Sequence, residues 1–174
     1  MTNTTRAKWA SMTVNDMEWH FNPRHTVSDS ARYGEARLGR NQIALTQRYA
    51  DIPYGDQSMQ DLDIYPVASK SNLAPVHVFI HGGYWRSRVK EDFAFIGPAL
   101  NRHGILAVVI NYPLCPAVTL DVVVASARLA MDWVRREIRA YGGDPERISL
   151  SGHSSGAHLG AAILAQDSAN EGVA

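Results

Sequence analysis

Leu150-Ser151-Gly152-His153-Ser154-Ser155-Gly156 follows the β-rich run Arg147-Ile148-Ser149, and its reading decides the fold. It holds Ser154 in a G-x-S-x-G frame, the nucleophile elbow. In that motif a strand turns so sharply into a helix that the serine hydroxyl stands exposed above the sheet. Gly152 and Gly156 flank the serine because a strained turn and a close helix–strand approach leave little room for Cβ atoms. Three fixed positions alone recur by chance in roughly 5% of chains this long. Here the frame follows a strand pattern and opens a helical one, which is the context the motif requires. Ser154 is therefore the candidate nucleophile.

Working outward, the preceding residues alternate between strand and helix patterns. Arg48–Tyr54 reads as an edge strand and Gln60–Tyr65 as a second. Val76–His81 is a mostly apolar run that ends at Gly82-Gly83, as a buried strand should. A helical stretch from Lys90 to Arg102 carries Pro98, which predicts a kink or two pieces. Ile105–Tyr112 is a near-continuous apolar strand. The clearest helix then runs from Thr119 to Tyr141, with Val123, Ala127, Ala130, Val134, Ile138 and Tyr141 on one apolar face. Thr119 is placed to cap it and Gly142-Gly143 to end it. Asp144-Pro145 turns the chain into the elbow strand. In the last helix, residues 155–166, Gly156 and Gly160 share a face and predict a tight approach to the sheet. The pattern predicts an α/β domain, its sheet mostly parallel and covered by helices on both faces. Residues 1–47 are polar and weakly periodic, an N-terminal extension with a turn at Asn22-Pro23-Arg24 and a short helix within 28–47. The core takes 48–174.

Composition narrows the classes. The chain has 174 residues, 45% hydrophobic and 20% charged, with a formal net charge of zero. That is ordinary for a globular domain and lacks the basic excess of a nucleic-acid binder. One cysteine, Cys115, rules out an intrachain disulfide framework. No stretch reaches the roughly 18 apolar residues of a membrane span, and the N-terminus lacks the apolar core of a secretory signal. The expectation is a cytoplasmic protein without nucleic-acid or membrane partners.

The second chemical element is His81-Gly82-Gly83-Tyr84-Trp85, at the carboxyl end of an earlier buried strand. Acyl transfer builds negative charge on a carbonyl oxygen, and backbone N–H groups in a glycine-rich turn can bind it, each worth about 3 kcal/mol. Gly83, Tyr84 and Ser155 are the candidate oxyanion donors. His81, Gly82 and Trp85 read as support for that loop. Gly82-Gly83 as a plain tight turn and Trp85 as a substrate contact are the competing readings. The Tyr84 side chain suits either a substrate contact in an acyl pocket or a structural brace. His153, at the variable position of the elbow, reads as a packing residue, and Cys115 as a small buried hydrophobe. Arg135, Arg136 and Arg139 read as a solvated helix face. His20, His25, His77 and His103 show no metal-ligand spacing, so no metal site is expected.

Taken in order, His81-Gly82-Gly83-Tyr84-Trp85, Asn111-Tyr112-Pro113-Leu114-Cys115-Pro116 and Gly142-Gly143-Asp144-Pro145 through Gly156-Ala157-His158-Leu159 resemble the α/β-hydrolase superfamily. They are most similar to its kynurenine formamidase (arylformamidase) branch and that branch's esterase relatives. The resemblance spans about residues 50–166, and Glu18–Arg24 is similar to the leading segment of these enzymes. It implies a small-molecule substrate, either a carboxylic ester or an aryl formamide such as N-formylkynurenine. Hydrolysis would run through an acyl-enzyme on Ser154, with no cofactor.

Such enzymes continue well past the elbow helix, with the triad in chain order Ser, Asp or Glu, His. After Ser154 this chain offers only His158, Asp167 and Glu171. His158 lies on the elbow helix with its ring expected to point away from the hydroxyl, so no base is in place. The chain thus reads as the N-terminal portion of a hydrolase, inactive as it stands, with Asp and His beyond residue 174. The alternative is a truncated pseudoenzyme or interaction module. Arg147–Ser151 would form an apolar sheet edge, an aggregation hazard that leaves a homo-oligomer open.

Overall fold

Leu106–Ile110 forms a strand in which all five residues are buried, and a strand with no polar face belongs in the middle of a sheet. The computed structural model describes residues 8–22, 25, 27, 29–68 and 72–170. Its strands are β1 (Tyr49–Pro53), β2 (Asp61–Tyr65), β3 (Ala74–Ile80), β4 (Leu106–Ile110) and β5 (Gly143–Gly152). They lie in the order β1-β2-β4-β3-β5. β2 pairs antiparallel with β1 and β4, whereas β3 pairs parallel with β4 and β5. Only β2 therefore runs against the rest, because a short hairpin joins it to β1.

The helices are α1 (Val14–Phe21), α2 (Ser30–Ala44), α3 (Ile96–Asn101), α4 (Leu120–Glu137) and α5 (Ser155–Asn170). Val76, Val78 and Ile80 of β3 join Val108 and Ile110 of β4 on one face, against Val123, Ala127, Ala130 and Val134 of α4 and Leu159 and Ile163 of α5. Phe79, Ala107 and Val109 point the other way, toward Ala44, Phe93 and Ala94. This alternation is the period of two that a two-faced sheet demands. The α/β-hydrolase fold expected from the motifs is what the chain adopts, with helices on both faces.

Several local expectations are refined. The Lys90–Arg102 stretch is in two pieces, a 3-10 helix at Lys90–Phe93 and α3 with Pro98 in its first turn. Buried Asn41 of α2 ties them down, donating to the Asp92 carbonyl (2.9 Å) and accepting from the Phe95 N–H (3.0 Å). The α4 helix stops at Glu137, and a 3-10 turn carries the chain to Tyr141, ended by Gly142 at φ 87°. Thr119 is the N-cap residue, but its hydroxyl makes no capping bond. Asp144-Pro145 does not precede β5; it lies inside it, where the β3–β5 register slips between Ala74/Gly143 and Val76/Ile148. Asp144 holds this bulge by accepting from the Glu146 N–H (3.1 Å) and from Arg147 Nε (2.7 Å).

The chain divides into two units, residues 1–37 and 38–174. In the first, α1 opens on a capping box: Thr13 N–H donates to Asp16 Oδ2 (2.9 Å) and Asp16 N–H to Thr13 Oγ1 (3.2 Å). The expected turn at Asn22-Pro23-Arg24 falls outside the described residues beyond Asn22.

Candidate active site

Parallel pairing sets Ile80 opposite Gly152, and the His153 N–H donates to the Ile80 carbonyl (3.1 Å). The two loops that leave β3 and β5 are therefore neighbours from their first residue, at the carboxyl ends of adjacent strands, where open α/β sheets place their sites. Ser154 has φ 53°, the left-handed region that a non-glycine residue seldom occupies. It is exposed, at the point where β5 breaks into α5. A Cβ built on Gly152 would lie 2.3 Å from the Gly156 backbone, and one on Gly156 would lie 2.1 Å from the Ile80 carbonyl oxygen. Both elbow glycines are thus fixed by close backbone approach. Gly160 is not: its Cβ would sit 3.6 Å from Leu150, an ordinary contact.

The 81–88 loop is bent more severely. Gly83, Tyr84, Trp85 and Arg88 take φ values of 129°, 59°, 58° and 78°. The turn is knotted on the Gly83 carbonyl, which accepts from the Arg86 and Ser87 N–H groups and from the Ser87 hydroxyl. With its carbonyl drawn inward, the peptide presents N–H groups the other way. Among the described residues, the N–H groups of Gly83, Tyr84 and Ser155 find no hydrogen-bond acceptor. A Cβ on Gly82 would lie 3.1 Å from Ser154 Cβ, so the loop and the elbow are in contact.

Three side chains brace this arrangement. His81 is fully buried and stacks on Tyr112 at 4.3 Å. Its Nδ1 donates to the Gly82 carbonyl (2.8 Å), leaving Nε2 buried without a partner. Burial holds its pKa below the ordinary histidine value, so the ring is neutral. Tyr112 donates to the His81 carbonyl (2.8 Å), and burial pushes its own hydroxyl up to about 12. Trp85 packs against the core, its backbone N–H donating to the Ser155 hydroxyl (3.4 Å) and its carbonyl accepting from Cys115 N–H (2.8 Å). Tyr84 is 72% exposed.

His158 sits edge-on to Trp85 at 5.3 Å. Among the described residues no side chain hydrogen-bonds the Ser154 hydroxyl. The side chain of Asp167, and Glu171 altogether, lie outside the described residues. His153 lies against Gly82 and faces Phe93 at 6.2 Å, although it is exposed. Cys115 is half-buried rather than buried.

Sequence reasoning passed over Lys90, which is 2% exposed. Its Nζ lies 2.6 Å from Asp51, 2.7 Å from Asp61, 2.7 Å from Glu91 and 3.5 Å from Asp63. Burial alone would lower its pKa, but the hydrogen-bonded carboxylates of Asp51, Asp61 and Glu91 outweigh this and raise it above the ordinary lysine value. Its backbone N–H donates to Asn111 Oδ1 (2.8 Å), and Asn111 Nδ2 donates to Asp61 (3.1 Å). The far end of the strained loop is thereby fastened to the β1–β2 hairpin and to the end of β4. The alternating acids at 61 and 63 were the only sequence signal for it.

Comparison with known proteins adds relatives to this geometry. The BD-FAE family model matches residues 62–172. The chain is 30% identical over 167 residues to a kynurenine formamidase of Danio rerio, covering 91% of this chain and 56% of that protein. It is 36% identical over 166 residues to esterase LipQ of Mycobacterium tuberculosis, covering 90% and 38%. The solved structure of a thermophilic esterase from Thermogutta terrifontis superposes with a TM-score of 0.58 at 30% identity, over 64% of this chain and 42% of that one. The chain thus spans about half the length, or less, of the curated relatives it matches.

Proposed function

The chain belongs to the BD-FAE family, within the α/β-hydrolases, and from that premise we propose that it carries the nucleophile and oxyanion site of a serine hydrolase. Its substrates are small carboxylic esters or aryl formamides. The observation that carries this reading is Ser154 in the left-handed region at the end of β5, beside three backbone N–H groups without acceptors among the described residues, those of Gly83 and Tyr84 after β3 and of Ser155 at the start of α5. The relatives, named as esterases and a formamidase, support the same reaction class.

The chemistry follows from those positions. Ser154 Oγ attacks the substrate carbonyl carbon, and its proton passes to a base. The carbonyl oxygen becomes an oxyanion, held by the N–H groups of Gly83, Tyr84 and Ser155. Collapse expels the alcohol or amine, which takes up a proton, and leaves an acyl-Ser154 ester that water hydrolyses. His81, Gly82 and Trp85, with Tyr112, keep the donors aimed at one point.

A serine hydroxyl without a base is a poor nucleophile at neutral pH. With the His158 ring against Trp85 and the Ser154 hydroxyl without a partner among the described residues, the base must come from outside them. The 174-residue chain alone is therefore expected to be inactive. A fluorophosphonate probe tests this: no labelling is expected, and labelling that disappears in Ser154→Ala would overturn the inactivity while upholding the nucleophile. Added imidazole should then raise p-nitrophenyl acetate hydrolysis above the Ser154→Ala background. If it does not, the second reading, a non-catalytic interaction module, takes over; the unpartnered hydroxyl is the observation that favours it.

A further inference from the structure

We propose that Asn111, the first residue after β4, is a positioning residue that sets the aim of the Gly83 and Tyr84 N–H groups. It acts through the loop and not on the substrate, and its part in catalysis rests on reading those groups as oxyanion donors. The loop that carries them is strained, with Gly83, Tyr84, Trp85 and Arg88 all at positive φ. Such a backbone persists only where its surroundings over-determine it. The segment Asn111–Cys115 holds it at three points. The Tyr112 hydroxyl donates to the His81 carbonyl (2.8 Å), the Cys115 N–H to the Trp85 carbonyl (2.8 Å), and the Lys90 N–H to Asn111 Oδ1 (2.8 Å). Both ends of the loop and its middle are thus held from one stretch of chain.

The hold at Lys90 bears most directly on the donors. The Gly83 carbonyl and the Tyr84 N–H belong to one planar trans peptide, so they point opposite ways, and whatever fixes the carbonyl aims the N–H. That carbonyl is fixed by the N–H groups of Arg86 and Ser87 (both 3.1 Å) and by the Ser87 hydroxyl (2.9 Å). The holds of Tyr112 and Cys115 lie before Arg86. Only the bond from Lys90 to Asn111 closes the segment on its far side, and with it released Arg86 and Ser87 are free to leave the Gly83 carbonyl.

Asn111 is itself immobilised. It is 5% exposed, and every polar group it owns is engaged. Its N–H donates to the Asp61 carbonyl (2.9 Å), its carbonyl accepts from the buried Tyr54 hydroxyl (2.8 Å), and its Nδ2 donates to Asp61 Oδ1 (3.1 Å). A backbone N–H can only donate and a carboxylate can only accept, so the amide cannot be turned over. Lys90 Nζ lies 2.7 Å from the same Asp61 oxygen, which closes a ring of Lys90, Asn111 and Asp61. All five residues of β4 are apolar and buried, so packing alone asks for no asparagine at the next position.

Amide hydrogen exchange tests this first in the unmodified chain. The Arg86, Ser87 and Lys90 amides should share one protection factor, because they open together. Arg86 and Ser87 protected about tenfold less than Lys90, or worse, would mean that the turn opens while Asn111 still grips, and would overturn the proposal. Asn111→Leu keeps the volume and loses both side-chain bonds. In it, protection of Arg86 and Ser87 should fall about tenfold, and the Gly83 and Tyr84 amide resonances should move. A merely structural residue would lower the protection of Val108 in the core and leave Arg86 and Ser87 as they were; that result also overturns the proposal. Should Asn111→Leu fail to fold, the unmodified chain decides. The imidazole-supported, Ser154-dependent hydrolysis of p-nitrophenyl acetate should fall about tenfold in Asn111→Leu, less than the loss of a whole oxyanion donor. An unchanged rate would count against the aim of the donors. No such hydrolysis in the unmodified chain would sink the oxyanion reading, while the exchange data would still decide whether Asn111 sets the loop.

Discussion

Single atoms decide the elbow. At position 156 an added methyl group would meet the Ile80 carbonyl oxygen at 2.1 Å and the His81 carbonyl oxygen at 2.6 Å. Both are backbone atoms, at the last residue of β3 and the one after it, which cannot swing aside as a side chain can. Gly156→Ala should therefore cost about 2 kcal/mol or more, as overpacking a tight contact does. Gly160 lies four residues along the same helix and faces Leu150 at 3.6 Å. With room for the methyl group, Gly160→Ala gains helix propensity and should stabilise the chain by up to about 1 kcal/mol. Urea unfolding of both variants reads the opposite signs directly. If both lower the midpoint, α5 approaches the sheet more closely than the structure has it. Tyr112→Phe probes the loop brace in the same way. It removes the bond to the buried His81 carbonyl, so a loss of about 1 kcal/mol is expected.

At the scale of elements, the strained 81–88 loop survives because both ends are held. One end is the β3–β5 junction; the other is Lys90 in its ring of carboxylates. Lys90→Met keeps much of the side-chain volume but leaves Asp61 and buried Asp63 without their lysine. The expected loss is about 3 kcal/mol, as when one partner of a buried ion pair is removed. A urea midpoint unchanged from the parent chain would mean that solvent replaces Lys90 at no cost, and the clamp would then be no clamp. How much of this was legible in the sequence follows from the distance between partners. The elbow is written in a handful of contiguous residues, so its glycines and serine could be read in place. β4 and α4 announce themselves through uninterrupted burial and a spacing of three and four. The Lys90 ring is assembled from three elements, with Asp51 lying 39 residues from Lys90 in the chain. No local pattern marks a lysine as buried, because burial belongs to the packed sheet. Asp144-Pro145 misled for a related reason. Its turn chemistry is present, but pairing with β3 absorbs it as a bulge inside β5. The Gly156–Gly160 face misled as well, since spacing gives a shared face and not the gap beneath it.

For the molecule as a whole, two histidines, one on β3 and one directly after it, couple stability to pH. His81 is enclosed by Tyr112 and Phe93, with Glu91, Asp92 and Arg88 as the charged groups around it. His77, half-buried on β3, bridges to β5. Its Nδ1 lies 2.8 Å from the Ser149 hydroxyl and its Nε2 2.7 Å from the Ser151 hydroxyl. Ser149 also donates to the Val76 carbonyl (3.1 Å), which leaves it to accept from Nδ1–H. Nε2 is then the acceptor for Ser151, a pattern only the neutral ring can satisfy. Burial lowers both pKa values below the ordinary 6.5. Between the folded value and 6.5, the unfolded chain binds protons that the folded chain does not. Unfolding free energy must therefore fall as pH drops below about 6.5, and level off once the folded histidines also protonate. Above that window this contribution is fully present. His77→Gln keeps one donor and one acceptor for the two serines but cannot titrate. Urea midpoints measured from pH 7.5 down to 5 should fall less steeply in this variant than in the parent chain, with the remaining slope owed to His81. Equal slopes in the two proteins would show that His77 titrates alike folded and unfolded, and the β3–β5 bridge would then be no part of the acid response.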